Sequence, residues 1–166
     1  MAERVSFKTL DEVTIVGDWV TAPTTIGAVI LLHTLQLNRL SWAPFQVSLA
    51  KVGLASLAID LRGHGESSQG PEGSNVDFKD FTDEDHETAL YDVMGAFAWI
   101  QRRGIDPERI TICGASIGAN LAIQMLAEES RIRGAVLLSP GKDYHGLDAT
   151  FDITSILPHQ AVWMTA

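Results

Sequence analysis

The sequence predicts an α/β fold with a mainly parallel, doubly wound sheet and helices on both faces. Short apolar runs of strand length alternate along the chain with longer helical patterns. Residues 28–33 and 55–60 are apolar almost without a break, which is typical of strands buried on both faces of a parallel sheet. Strands and helices in this order require right-handed crossovers, and these place helices on both sides.

The other elements follow from the same periodicities. We expect strands over 14–19, 28–33, 55–60, 110–115, 134–140 and 160–165, and helices over 40–52, 83–103 and 116–128. Residues 61–80 are rich in Gly, Ser, Pro and charge, which predicts a surface loop of a length that usually serves a function. There is no repeat, low-complexity segment or linker, so we expect a single domain over 1–166.

Composition and charge narrow the class of function. The formal net charge of −9 opposes nucleic-acid binding, which requires a basic face. No apolar run approaches the roughly 20 residues of a membrane helix, and the N-terminal residues lack the pattern of a signal peptide. Cys113 is the single cysteine, so no internal disulfide forms. We expect a cytoplasmic protein without a nucleic-acid or membrane partner. Because no His, Cys and acidic residues have metal-ligand spacing, we expect no metal and no cofactor.

The most informative segment surrounds Ser116. A β-branched run stops at Gly114, Ser116 follows, and Gly118 opens an apolar helical stretch. A serine on a sharp strand-to-helix turn needs very small residues on either side because the two backbones nearly collide there. The pattern therefore predicts a nucleophile elbow that exposes the hydroxyl beside the free N–H groups of a helix N-terminus.

Several polar residues are predicted to share one edge of the sheet with this serine. Asp60, Ser116, Pro140 and the residue after His33 all fall at the carboxyl ends of predicted strands. Sites in open parallel sheets lie beyond these ends. We expect the site there.

Three motifs fall at these strand ends: Gly114-Ala-Ser116-Ile-Gly118, Leu31-Leu-His33 and Asp60-Leu-Arg62-Gly63-His64-Gly65-Glu66-Ser67. With these motifs the chain resembles, over nearly all its length, the α/β-hydrolase family, in particular small bacterial serine esterases. The resemblance implies that Ser116 is the nucleophile of a carboxylic-ester hydrolase acting on a small acyl substrate. It also implies an oxyanion hole from the backbone N–H of Ile117 and that of Leu35 or Thr34, with His33 shaping the loop.

The acid and base of a triad are harder to place. In the family the acid follows the seventh strand and the histidine the eighth, whereas residues 161–165, which correspond to the family's seventh strand, come just before the end of the sequence at Ala166. We therefore expect a fold that is incomplete at its C-terminus. The pair that remains is Asp143 and His145, after the predicted strand 134–140; the alternative is that residues 141–146 form a solvated turn.

The other histidines are weaker candidates for the base. His159 is expected at the opposite edge of the sheet, and His86 on the surface at the start of the long helix. His64, between two glycines, is expected to fix the backbone of its own tight turn.

Two other functions stay open. The first is a hydrolase-fold protein with little or no turnover, serving in binding or assembly. The second is a nucleotide-dependent oxidoreductase, since the glycines around Ser116 superficially resemble a cofactor-binding turn. Two departures count against the oxidoreductase. Asn120 stands where the cofactor-binding turn has its third glycine, and Asp148, four residues after Tyr144, stands where these dehydrogenases have a lysine.

The last predicted strand also bears on assembly. Residues 161–165 carry no charge and include Val162, Trp163 and Met164. An unpaired apolar edge strand invites pairing with another chain. We expect a homo-oligomer that associates through this C-terminal edge.

Overall fold

Seven strands form the main sheet. The computed structural model describes residues 2–165, apart from the side chain of Phe151. The strands of the sheet are β1 Glu3–Lys8, β2 Thr14–Val20, β3 Gly27–Leu32, β4 Leu54–Ile59, β5 Ile110–Ala115, β6 Gly134–Leu138 and β9 Ala161–Thr165. A two-residue hairpin pair, β7 Asp143–Tyr144 and β8 Leu147–Asp148, stands apart from it.

The sheet has the strand order β1-β2-β4-β3-β5-β6-β9. From β4 to β9 all neighbours are parallel, and only β1 and β2 pair antiparallel with their neighbours. The predicted mainly parallel sheet is confirmed. Its register sets Leu32 beside Gly114, and Gly114 beside Leu137, so β3, β5 and β6 reach the carboxyl edge together.

Helices cover both faces, as the sequence predicts for a doubly wound sheet. They are α1 Ala43–Lys51, α2 Asp83–Glu87, α3 Leu90–Arg102, α4 Ile117–Glu128 and α5 Ala149–Thr154. Alternate strand residues, such as Ile30 and Ile112, pack with α3 and α4 in the larger core. Their neighbours Leu31 and Cys113 face the other way and pack with Leu49 of α1.

Two predicted helices differ from the structure, and one strand was not predicted. The expected helix over 83–103 is two helices, because the backbone tightens to i→i−3 bonds where Thr88 donates its hydroxyl to the Asp85 carbonyl. The expected helix over 40–52 begins as a 3₁₀ turn, Arg39–Trp42, and α1 then begins at Ala43 with Pro44 in its first turn. Strand β1 was not predicted, although its buried Val5 and Phe7 alternate with polar residues.

The segment after β6 is more exposed than the rest of the sheet. In β9 the side chains of Trp163 and Met164 are 73% and 50% exposed. Trp163 lies beside Val136, and Val136 beside Cys113, so an apolar row continues to the sheet edge on the α1 face. Among the helices of residues 2–165, none is long and apolar enough to cross a membrane.

Candidate active site

Ser116 lies on a sharp turn between β5 and α4. Its backbone has φ 53° and ψ −122°, a conformation that residues other than glycine rarely adopt. The Ser116 N–H donates to the carbonyl of Leu138, which ties the turn to the end of β6. The side chain is half-buried, and its hydroxyl has no hydrogen-bond partner in the part of the chain that the structure describes.

The glycines on either side allow this turn. A Cβ on Gly114 would lie 1.9 Å from the carbonyl oxygen of Gly118, and a Cβ on Gly118 would lie 2.6 Å from that of Leu32. These atoms belong to backbone held in the sheet and helix, so they cannot move aside as a flexible side chain could. The close contact of α4 with the end of β3 brings the loop after β3 to the elbow.

Two backbone N–H groups at this edge are unengaged. Ile117 is the first residue of α4, so its N–H has no acceptor within the helix. The N–H of Leu35, in the loop after β3, donates to no acceptor within residues 2–165. Since α4 packs against the end of β3, both N–H groups lie at the same edge of the sheet as Ser116.

The turn after β4 is organised by a buried carboxylate. Asp60 is fully buried and accepts from the backbone N–H of Arg39 and of Glu66, both at 2.8 Å, and from the Arg39 guanidinium at 2.5 Å. A Cβ on Gly65 would lie 2.2 Å from its Oδ2. Ser67 donates its hydroxyl to the Asp60 carbonyl. The motif therefore builds the turn and brings it against the loop after β3.

Arg62 connects the same turn to α3. Its guanidinium donates to Asp92 Oδ1 at 2.8 Å and to Asp11 Oδ2 at 2.6 Å. Complete burial raises the pKa of Asp92 to about 6, against the opposing charge and hydrogen bonds of Arg62. The pair holds the turn in place, and its role is structural.

The structure does not bring Asp143 and His145 together. Asp143 Oδ1 accepts from the backbone N–H of Gly146 at 2.9 Å, within the turn that joins β7 and β8. His145, with φ 52°, has its Nδ1 at 3.3 Å from Asp83 Oδ1 and its ring stacked on His86 at 4.5 Å between centroids. The catalytic role of this pair stays a prediction.

The positions of His86 and His159, two of the weaker candidates for the base, are also clear. His86 was expected on the surface but is only 5% exposed, because the hairpin and Phe81 pack over it. Burial, with the charges of His145 and His64, lowers the pKa of His86. The His159 Nε2 lies 2.9 Å from the carbonyl oxygen of Ser130. Ser130 lies in the turn that leads to the amino end of β6, which fits the expected opposite edge.

Sequence reasoning missed one contact at the loop after β3. The His64 Nε2 lies 2.8 Å from the carbonyl oxygen of Leu35, a residue 29 positions away. Only the tight turn around His64 was visible from its flanking glycines. Within residues 2–165, no group of three or more His, Cys, Asp or Glu side chains is arranged to hold a metal ion.

The fold is found in several solved structures. An esterase of Pyrococcus furiosus, Pf2001, aligns over 99% of this chain and 70% of its own, with a TM-score of 0.77 and 22% identity. An acetyl xylan esterase from Paenibacillus sp. R4 aligns over 99% and 72%, with a TM-score of 0.77 and 18% identity. The α/β hydrolase GrgF from Penicillium sp. sh18 aligns over 84% of this chain with a TM-score of 0.71 and 21% identity.

The chain is shorter than these neighbours. It spans 46% of the length of GrgF and 45% of that of DcsB. Among curated protein sequences, none matches the chain. A family model described as the α/β hydrolase fold matches residues 27–164, which include β3, the turn after β4 and the Ser116 elbow. The chain therefore belongs to the α/β hydrolase fold family.

Proposed function

We propose that the protein is a serine hydrolase that acts on small esters or related acyl substrates through an acyl-enzyme at Ser116. The observation that carries the proposal is the elbow. It combines a strained serine, an unengaged hydroxyl and a helix N-terminus whose Ile117 N–H is free. The esterase names of two structural neighbours agree with it, although their low identity to this chain supports the fold alone.

In the proposed reaction, the Ser116 oxygen attacks the carbonyl carbon of the ester. The negative charge that develops on the carbonyl oxygen is stabilised by the N–H groups of Ile117 and Leu35, with Thr34 as the alternative second donor. The alcohol departs with a proton, and the acyl group stays on Ser116. Water then attacks the acyl-enzyme, releases the acid and returns the proton to Ser116.

The proton transfers need a base, and the structure bears directly on the expected rate. Ser116 Oγ has no histidine hydrogen-bonded to it within the described residues. When a triad lacks its base, the oxyanion hole and substrate binding still give about 10³-fold acceleration over water. We therefore expect slow, Ser116-dependent turnover of an activated ester. Turnover well above that level would indicate a working histidine, and single substitutions of His145, His159 and His86 would identify it.

The lack of a histidine hydrogen-bonded to Ser116 within the described residues favours a second candidate, a hydrolase-fold protein without turnover that serves in binding or assembly. Hydrolysis of p-nitrophenyl acetate separates the two. We expect Ser116→Ala to abolish the protein-dependent rate while the free energy of unfolding changes by less than about 1 kcal/mol. Ser139→Ala is the matched control because Ser139 is exposed, has φ 50° and lies at the same edge. A rate equal in wild type and Ser116→Ala contradicts the hydrolase proposal.

A further inference from the structure

The peptide group between Thr34 and Leu35 is held by a buried histidine. Leu61 N–H donates to His33 Nε2 at 3.0 Å, so the proton of the neutral ring is on Nδ1, which lies 2.7 Å from the Thr34 carbonyl oxygen. Burial lowers the pKa of His33 to about 4, which keeps the ring neutral at pH 7. His33 therefore donates to the Thr34 carbonyl.

This hydrogen bond also sets the direction of a proposed oxyanion donor. The Thr34 carbonyl and the Leu35 N–H belong to one planar trans peptide group, in which they point in opposite directions. Fixing the carbonyl toward His33 therefore turns the Leu35 N–H away from His33. The next peptide group must also be fixed, because rotation about the backbone of Leu35 would otherwise let the loop change shape.

His64 holds that next peptide group. Its Nε2 lies 2.8 Å from the Leu35 carbonyl oxygen, and its Nδ1 lies 3.0 Å from the Arg62 carbonyl oxygen. A neutral ring has a single N–H, and the inference assigns it to Nε2, which makes the shorter contact, so that His64 donates to the Leu35 carbonyl. The ring is 4% exposed and is stacked on Phe78 at 4.0 Å with an interplanar angle of 11°. The His33 ring also lies close to it, with 4.9 Å between the two ring centroids. The ring is thus confined in position and in plane.

We propose that His64 is a positioning residue for the oxyanion hole, and that with His33 it holds both peptide groups flanking Leu35 so that the Leu35 N–H meets the developing oxyanion. The inference rests on the proposed function and assigns a task to the loop after β4. Phe78, near the end of that loop, supports the His64 ring, and Gly63 anchors Phe78 by accepting its N–H. The loop over 61–80 therefore braces the loop after β3 from outside the site.

Two substitutions of His64 separate its two contacts. His64→Gln places an amide nitrogen near the position of Nε2 and can still donate to the Leu35 carbonyl. His64→Asn places one near the position of Nδ1 and can donate only to the Arg62 carbonyl. The two variants lose the same ring and the same stacking on Phe78. They differ in the contact that the inference requires.

Steady-state hydrolysis of p-nitrophenyl acetate is the first measurement. We expect His64→Asn to lower kcat at least tenfold with KM within twofold, because an oxyanion contact is made chiefly in the transition state. His64→Gln should retain kcat within about threefold of wild type. Equal kcat values in two folded variants overturn the inference. If His64→Asn does not fold, Phe78→Leu replaces it: a threefold fall in kcat at constant KM supports the inference, and an unchanged kcat overturns it.

A second measurement separates this inference from the proposed function. If wild type shows no Ser116-dependent hydrolysis, the proposed function fails, and hydrogen exchange in the loop after β3 decides the inference alone. The Leu37 N–H donates to the Thr34 carbonyl, so in ¹⁵N-resolved NMR spectra of this 18.0 kDa chain its exchange should be at least tenfold faster in His64→Asn than in His64→Gln. Equal exchange rates in the two variants overturn the proposed positioning role.

Discussion

The loops that follow β3 and β4 are braced by buried polar groups, whereas the segment that follows β6 is held by fewer and more exposed contacts. Asp60, His33 and His64 each bind backbone groups of these first loops and are at most 4% exposed. After β6, Asn120 fixes the hairpin through Gly141 and Leu147. The turn of that hairpin, however, carries His145 with nearly half of its side chain exposed.

This difference separates the two halves of the proposed chemistry. The loop after β3, which carries the Leu35 N–H proposed to bind the developing oxyanion, belongs to the braced region. The candidate acid and base, Asp143 and His145, stand on the exposed side and do not bind each other. Preorganised donors require rigid supports because their benefit depends on fixed orientation. The structure supplies such supports for the proposed oxyanion donors and not for the candidate acid and base.

The largest expected effect is at the glycines of the two regions. Gly114→Ala should lower the free energy of unfolding by about 4 kcal/mol or prevent folding, because the new methyl group meets fixed backbone at 1.9 Å. Gly141→Ala, in the segment after β6, meets the Tyr144 ring at 2.5 Å. That ring is on a side chain that can rotate, so we expect a loss of less than about 1.5 kcal/mol. Urea denaturation measures the free energy of unfolding of both variants. Similar losses in the two would contradict the difference in rigidity between the elbow and the segment after β6.

The next effect is a pH dependence of stability on the braced side. The pKa of His33 in the folded chain is about 4, below the ordinary 6.5, so between these values the unfolded chain binds a proton that the folded chain does not. Stability should therefore fall as the pH drops from 6.5 to 4, by about 3 kcal/mol from this group.

His33→Asn removes this titration while retaining a donor for the Thr34 carbonyl. We expect the variant to be less stable at pH 7, because Leu61 N–H loses its acceptor, but to lose about 3 kcal/mol less than wild type on acidification to pH 4. Denaturant unfolding at several pH values gives the comparison. Parallel curves for the two proteins would mean that His33 is not the group responsible.

A smaller effect concerns the two edges of the sheet. The β1 edge carries Glu3, Arg4 and Lys8, whereas β9 has no charged residue. Charges on an edge strand oppose pairing with another chain. We expect wild type to self-associate through β9, and Trp163→Lys to weaken this at least tenfold, or about 1.4 kcal/mol. Leu10→Lys, a control at another exposed apolar residue, should leave self-association unchanged. Sedimentation measures both, and a monomeric wild type at tens of micromolar contradicts the expectation.

The smallest effect is expected at the contact between Asp83 and His145 of the hairpin. Asp83 and His145 have side chains that are 69% and 45% exposed. Such pairs contribute little to stability, so Asp83→Asn should change the free energy of unfolding by less than about 0.5 kcal/mol. The same variant sharpens the comparison in activity assays. If it lowers Ser116-dependent turnover while stability is unchanged, His145 works in the reaction with Asp83 as its partner, and the exposed side contributes to catalysis.

The predictable features were those that depend on local backbone geometry. Gly114 and Gly118 around Ser116 revealed a strand-to-helix turn because only tiny residues fit there, and continuous apolar runs revealed the parallel strands. Contacts between distant segments left no local signal. The bond from His64 to the Leu35 carbonyl spans 29 positions, and the stacking of His145 on His86 spans two elements whose packing no spacing encodes.

The nucleophilic role of Ser116 is tested most directly by covalent labelling. The protein would be incubated with an alkyl fluorophosphonate, digested and mapped by mass spectrometry, with Ser116→Ala and Ser139→Ala treated in parallel. The account predicts an adduct on Ser116 in wild type and in Ser139→Ala, and no adduct in Ser116→Ala. Absence of the Ser116 adduct after prolonged incubation, or equal labelling of Ser116→Ala at another serine, would contradict it.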